Sequence, residues 1–327
     1  MKKIIFILSL FFSLWGISIA FFFVFFNPTD ITEFSNFIVF SSKPYHFSGF
    51  DIYIITERTN EYSYRSTSIA FLTLFFYLSF LAGSIIYYFS QYKDSKLLLF
   101  NYALIFLDGI IKICSFFLHF HTIQFGIYSI IYILLSIAYI FISYQFITKH
   151  LNINAEDNNL ENASNYKRLL NLIIDSFIII IIVYGFITYA IQNNQETSIF
   201  KYFKITFGVK FGILAFFSVI KFIYYLLFES VFKSTPAKFI TACYITDENG
   251  NPPTFLMILK RTLFRFIPFE SLSFLMGKNL HDDYTDTYVI NKKTDFKTEK
   301  KYLQTLSICF LIMLVIYFYN LSTRHHF

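Results

Sequence analysis

The chain has 327 residues, of which 56% are hydrophobic, 22% aromatic and only 15% charged, with a formal net charge of +6. A soluble domain carries about a quarter charged residues, so this composition excludes an ordinary soluble domain. No Arg-rich tail or nucleic-acid motif accompanies the positive charge, and Cys114, Cys243 and Cys309 lack metal-ligand spacing, so no nucleic-acid partner, metal or other cofactor is expected.

The 47 Phe and 25 Tyr stand beside abundant Ile, Asn and Lys, the composition of an AT-rich genome. No aromatic cofactor site is read into them. The apolar residues come in blocks long enough to cross a bilayer. The first runs over 4–26 after Lys2 and Lys3, and is read as an uncleaved anchor because "FFFVFF" continues it past the small residues at 18–20. Further spans are expected at 67–89, 97–118, 124–147, 169–191, 206–228 and 302–320. Gly208 and Gly212 form a G-x-x-x-G in the sixth, a spacing that permits close helix contact.

The expected fold is therefore all-α. It is a polytopic helical membrane protein of about seven transmembrane helices. Lys and Arg are concentrated at 2–3, 93–96, 149–168 and through 229–301. By the positive-inside rule those segments and the N-terminus are cytoplasmic. The organisation expected is four spans over 1–150 with an external loop at 27–66, a polar cytoplasmic linker at 151–167, a chemically richer region at 168–290, and a last transmembrane helix within 291–327.

In the stretch "RLLNLIIDSFIIIIIVYG", Arg168 opens the helix and Asp175 follows seven residues later. That spacing puts both on one face. A carboxylate inside a membrane helix costs a few kcal/mol unless it is paired, hydrated or protonated. Depth suggests a partner. Asp175 lies about 10 Å beyond Arg168, and on the antiparallel next span Lys221 lies about 12 Å before Glu229. An Asp175–Lys221 pair is expected, with Arg168 and Glu229 one level below and Lys210 nearer the outside. In "LDGIIK", Asp108 and Lys112 are four residues apart and can neutralise each other on one helix.

The segment after the sixth span carries several local signals. Residues 239–246 read as a strand, Asn249-Gly250 as a hairpin turn, and Thr254 as the cap of a helix reaching about Phe266. That helix holds Lys260, Arg261 and Arg265 and reads as a basic amphipathic helix at the membrane surface.

Together these pieces resemble the RDD family of membrane proteins over about residues 165–290. Arg168 and Asp175 match the family's arginine and first aspartate, "STPAK" its threonine and lysine turn at Thr235 and Lys238, and "KRTLFRFIPFE" its arginine-bearing helix. "HDDYTDTYVI" matches the closing pattern, which makes Asp282, after His281, the second aspartate and includes Thr287. Lys233 and Ala237 stand where the family usually has glycine. The resemblance implies a bacterial inner-membrane protein, with cation/proton exchange the activity proposed for some members.

Two functions are expected from different classes. One is a transporter or exchanger of small cations or protons, working through the intramembrane charges. The other is a scaffold or assembly partner, itself a homo-oligomer or bound to another membrane protein, in which Arg168, Asp175 and Asp282 only lock elements together. Catalysis is not expected, because His281, Asp282 and Asp283 are adjacent in sequence and no second ligand cluster stands near them.

Overall fold

A computed structural model describes residues 2–25, 62–118, 127–151, 161–192, 198–266, 282, 284–291 and 298–324. The expected external loop at 27–66 and His281 lie almost wholly outside the described residues. In order, the elements are α1 (Lys2–Phe25), α2 (Tyr62–Phe89), α3 (Lys96–Leu118), α4 (Ile127–His150), β1 (Glu161–Asn162), α5 (Asn165–Gln192), α6 (Ser198–Phe232), α7 (Pro236–Thr241), β2 (Cys243–Asp247), α8 (Phe255–Phe264), β3 (Thr287–Asn291) and α9 (Thr298–Arg324). Five of the helices, α2, α3, α4, α6 and α9, are long and apolar enough among the described residues to cross a membrane. The chain is a helical membrane protein with a small sheet.

The chain divides into two compact units, one of residues 1–150 with 299–327, the other of residues 151–298. In the first unit α3 is the enclosed helix, with Leu97 to Leu107 buried along its length. Polar side chains fasten it to its neighbours, as hydrogen bonds between helices do where apolar packing gains nothing over lipid. Ser79 Oγ donates to Asn101 Oδ1 at 2.7 Å, and the hydroxyls of Ser9 and Tyr102 meet at 2.8 Å. Gly16 lets α1 close on α2: a Cβ there would lie 2.0 Å from the Tyr77 ring. Lys112 Nζ lies 2.5 Å from Asp108 Oδ2, both side chains buried. Tyr302 of α9 donates to Asp94 in the same unit.

In the second unit the sheet order is β1-β3-β2, all antiparallel. Tyr244 faces Ile290 and Ile245 faces Val289. Ala163, Cys243 and Val289 form a small core beneath it. The expected hairpin is corrected here. The Asn249-Gly250 turn forms, with Asp247 Oδ1 accepting from the backbone N–H of Asn249 and of Asn251 at 2.9 and 2.7 Å. It leads into α8 rather than into a partner strand, and β2 pairs instead with β3, beyond α8 in the chain. The strand expected to start at Phe239 is also shorter. Thr235 accepts from Lys238 N and Pro236 takes the first turn, so Phe239 to Thr241 are helical, and Ala242 in left-handed conformation (φ 54°) ends the helix. The linker contributes β1, held by Ala163 N–H donating to Val289 O at 2.8 Å.

The two glycines of α6 act within their own helix rather than between helices. Gly208 (φ 74°, ψ 170°) breaks it. The segment before the break doubles back: the Phe203 and Phe216 rings lie 6.1 Å apart, whereas thirteen residues of straight helix would span about 20 Å. At Gly212 a Cβ would sit 2.8 Å from Phe203 O, so only glycine admits this approach. Gly208→Ala should therefore cost about 1–3 kcal/mol, because its backbone region is essentially restricted to glycine. A lowered melting temperature in detergent, with faster proteolysis at residues 198–207, is the expected readout.

Candidate functional site

Seven ionisable side chains of the second unit are gathered in its interior. They come from α5 (Arg168, Asp175), α6 (Glu229), α7 (Lys238), α8 (Arg261), the residue that ends α8 (Arg265), and Asp282 just before β3. All except the part-buried Arg265 are buried, and Glu229 and Arg261 have no exposed surface at all.

Local sequence explains how each arrives. On α5, Arg168, Asn171 and Asp175 fall on one buried face, while Ile173, Phe177 and Ile180 point outward. Glu229 ends α6 on the same side as Tyr224, Tyr225 and Phe228, all buried. Beyond Phe232 the chain reverses through Lys233, at a φ of 56°. One of the two departures from the family's glycines thus falls where glycine is physically suited. The other does not: Ala237 sits in the first turn of α7 with a buried side chain. The Thr235 cap then aims Lys238 back at Glu229, nine residues earlier, with Nζ 2.7 Å from Oε1. Thr254 caps α8 by accepting from Met257 N–H. Arg261 and Arg265, one turn apart, then share the inward side of that helix with Ile258 and Thr262.

The ion pairs form a continuous lattice. Arg265 grips Glu229 as a fork, Nη1 to Oε2 at 3.0 Å and Nη2 to Oε1 at 2.7 Å. Its guanidinium also lies 4.0 Å over the Tyr225 ring. Arg261 stands between the two acids, with Nε 3.7 Å from Glu229 Oε2 and Nη1 bonded to Asp282 Oδ1. The same Nη1 donates to Thr287 Oγ1 at 2.7 Å. Arg168 closes the lattice, Nη1 to Asp282 Oδ2 at 2.5 Å and Nε to Ala163 O at 3.2 Å. Arg168 and Asp282 thus meet although they are 114 residues apart in sequence.

Asp175 is handled differently. Its oxygens accept from Tyr224 Oη at 2.7 Å, Thr235 Oγ1 at 2.7 Å and Ala237 N–H at 3.3 Å. These three neutral donors stand where Lys221 was expected. Tyr224 is the residue one turn after Lys221 on the same helix face, so the correction is one turn of axial offset. A phenol also satisfies the carboxylate without bringing an ammonium out of water. Lys221 is half-buried and Lys210 is exposed, and neither reaches Asp175. Asp108 and Lys112 pair with each other in the first unit.

Sequence reasoning missed Tyr224 and Asn171. Asn171 Oδ1 accepts from Thr241 Oγ1 at 2.7 Å. A heptad reading of α5 could have found Asn171, midway between Arg168 and Asp175. Tyr224 gave no signal among 25 tyrosines. Lys167, noted only as a charge, clamps the sheet by donating to Asn291 Oδ1 at 2.7 Å.

The electrostatics are not neutral. Four cations, Arg168, Lys238, Arg261 and Arg265, face three carboxylates. Burial, opposed by the attraction of Glu229 and helped by Arg261 and Arg265, lowers Lys238 to about 8. An unfolded lysine titrates near 10.4. Between those values the unfolded chain binds the proton that the folded chain has released. The contribution of Lys238 to stability therefore rises with pH across that window and is smallest below it.

A family model, described as the RDD family, matches residues 162–327. No curated protein and no solved structure matches the chain. The matched region takes in α9 as well as the whole charged lattice.

Arg261 reaches both Glu229 and Asp282. Arg261→Ala should cost about 3–5 kcal/mol, because it takes one of two guanidinium partners from buried Asp282 and weakens the hold on Glu229. Arg261→Lys should recover only a small part, since a point ammonium cannot span the fork. Melting temperatures of the three proteins in one detergent rank them, and equal melting of wild type and Arg261→Ala would refute the assignment.

Proposed function

The chain belongs to the RDD family of membrane proteins, and on that footing we propose that it exchanges small cations for protons across a bacterial inner membrane, with Asp175 as the group whose charge state changes. In this reading seven helices cross the bilayer, and the N-terminus, the sheet and α8 lie on the cytoplasmic side, where Lys and Arg accumulate. No covalent chemistry is assigned to the chain.

The observation that carries the proposal is the contrast between Asp175 and the other two acids. Glu229 and Asp282 are bonded directly to guanidinium or ammonium groups, which cannot accept a proton in return. Asp175 is held by two hydroxyls and one backbone N–H. A hydroxyl can rotate from donor to acceptor. Protonating Asp175 therefore displaces only a neutral hydroxyl hydrogen, whereas protonating Glu229 or Asp282 would take the counter-charge from a buried cation. The backbone N–H of Lys238 meets Thr235 Oγ1 at 3.4 Å while its ammonium, of lowered proton affinity, goes to Glu229.

The scaffold reading has its own support in the ion-pair lattice, which ties α5, α6, α7, α8 and the segment before β3 together. The two readings part at one substitution. Asp175→Asn keeps the shape and removes the titration, so cation-dependent proton flux in vesicles reconstituted with the variant should vanish while expression and melting stay near wild type. Unchanged flux in a folded variant would end the exchanger proposal. Absence of flux in the wild type, with lowered abundance of the variant, would favour the scaffold.

Orientation has a separate test. Cys243 is buried and reports poorly on sidedness, whereas Glu248 is exposed on the turn after β2. Glu248→Cys should react with an impermeant thiol reagent only after the cells are opened. Labelling in intact cells would reverse the proposed topology.

A further inference from the structure

Helix α8 is inside out by the standard of a helix in water. Its buried residues are Ile258, Arg261 and Thr262, with the Arg265 side chain 10% exposed at its end. Its outward residues are Phe255 and Leu256, each 59% exposed, Leu263 at 53% and, just past its end, Phe266 at 40%. Two arginines are withdrawn while four large apolar side chains are presented. Against water, both halves of that arrangement oppose the hydrophobic effect. Against hydrocarbon, both follow it.

The apolar face does not stand alone. The Phe264 ring stacks on Tyr284, which is 66% exposed, at 5.3 Å and an interplanar angle of 2°. On the other side the Phe266 ring meets Phe222 of α6 at 5.9 Å. Next to Phe222, Val219 and Ile223 are exposed on α6 at 40% and 52%. Because α6 is long and apolar enough to cross the membrane, those exposed apolar side chains suit contact with lipid. The outward face of α8 continues that apolar surface. One charge borders it, the exposed Lys260, about 40° past Leu256 on the helix wheel. A lysine stem can lie along an apolar surface and lift its ammonium to the headgroups.

We propose that α8, with Phe266 and Tyr284, lies in the plane of the membrane in the leaflet at the Glu229 end of α6, with its apolar face among acyl chains and Lys260 at the headgroups. The partner is the lipid itself. Arg261 and Arg265 then do not contact headgroups, as a basic amphipathic helix would ordinarily suggest. They are pressed by the lipid contact onto Glu229 and Asp282. The bilayer becomes the outer wall of the charged lattice, and this holds whether or not the chain moves ions.

Trp15 is the one tryptophan of the chain, which makes fluorescence quenching practical. In the full-length protein bearing Trp15→Phe, the substitutions Leu256→Trp, Leu263→Trp and, as the reference on the exposed turn, Glu248→Trp are made singly. Each is reconstituted into vesicles containing lipids brominated near the carbonyl end of the acyl chain, or titrated with aqueous iodide. An in-plane helix sinks its apolar face about 5–10 Å below the headgroups. Leu256→Trp and Leu263→Trp should be quenched strongly by the brominated chains and weakly by iodide, with the order reversed for Glu248→Trp. Iodide quenching at 256 and 263 equal to that at 248 would place the face in water and overturn the proposal. Resistance to both quenchers would mean that protein covers the face, a second copy or another partner, and would overturn it equally.

Discussion

Glu229 stands at the end of a spanning helix with no exposed surface and three cations around it. A carboxylate in that position is costly by several kcal/mol unless its partners are near and well aimed. Much of the second unit supplies those partners. The left-handed residue Lys233 and the Thr235 cap turn the chain so that Lys238 returns to Glu229 within nine residues. The Thr254 cap sets the phase of α8 so that Arg261 and Arg265 face inward. Through Arg261 the same constraint extends to Asp282, and through Asp282 to Arg168 at the mouth of α5. A weakened link at any of these points leaves a buried charge less well compensated, so the elements are fixed jointly.

Against that rigid lattice Asp175 is a separate case. It lies in the same interior but takes only neutral donors. The lattice carries architecture, since its acids cannot be protonated without stranding a cation. The neutral-donor carboxylate carries the capacity to change charge. Thr235 joins the two: its hydroxyl donates to Asp175 and accepts from the backbone N–H of Lys238, so one cap residue touches both systems.

The first unit uses intramembrane polarity more sparingly. Asn101, Ser79, Ser9 and Tyr102 hold α3 to α1 and α2 by hydrogen bonds, and Asp108 and Lys112 cancel on a single helix turn. Such a pair is made within one element. The lattice of the second unit, by contrast, requires five elements to meet.

Much of this was legible in the chain. Long apolar blocks determine membrane helices because the hydrocarbon core admits little else. The seven-residue spacing of Arg168 and Asp175 determines a shared face, and Thr254 determines where α8 begins. The family motifs marked Arg168 and Asp282 as candidates, and the structure brought them together. What the sequence left open was everything set by the relative placement of distant segments. Helix periodicity gives a residue's direction but not its axial level against a neighbour, so Asp175 meets Tyr224 one turn beyond Lys221. A turn signal shows where the chain bends but not which strand it will find, so β2 pairs with β3 across the whole of α8. An amphipathic pattern identifies two faces of a helix but not which one meets protein. For α8 the tertiary structure decided it, because buried Glu229 and Asp282 required the arginines more than the headgroups did.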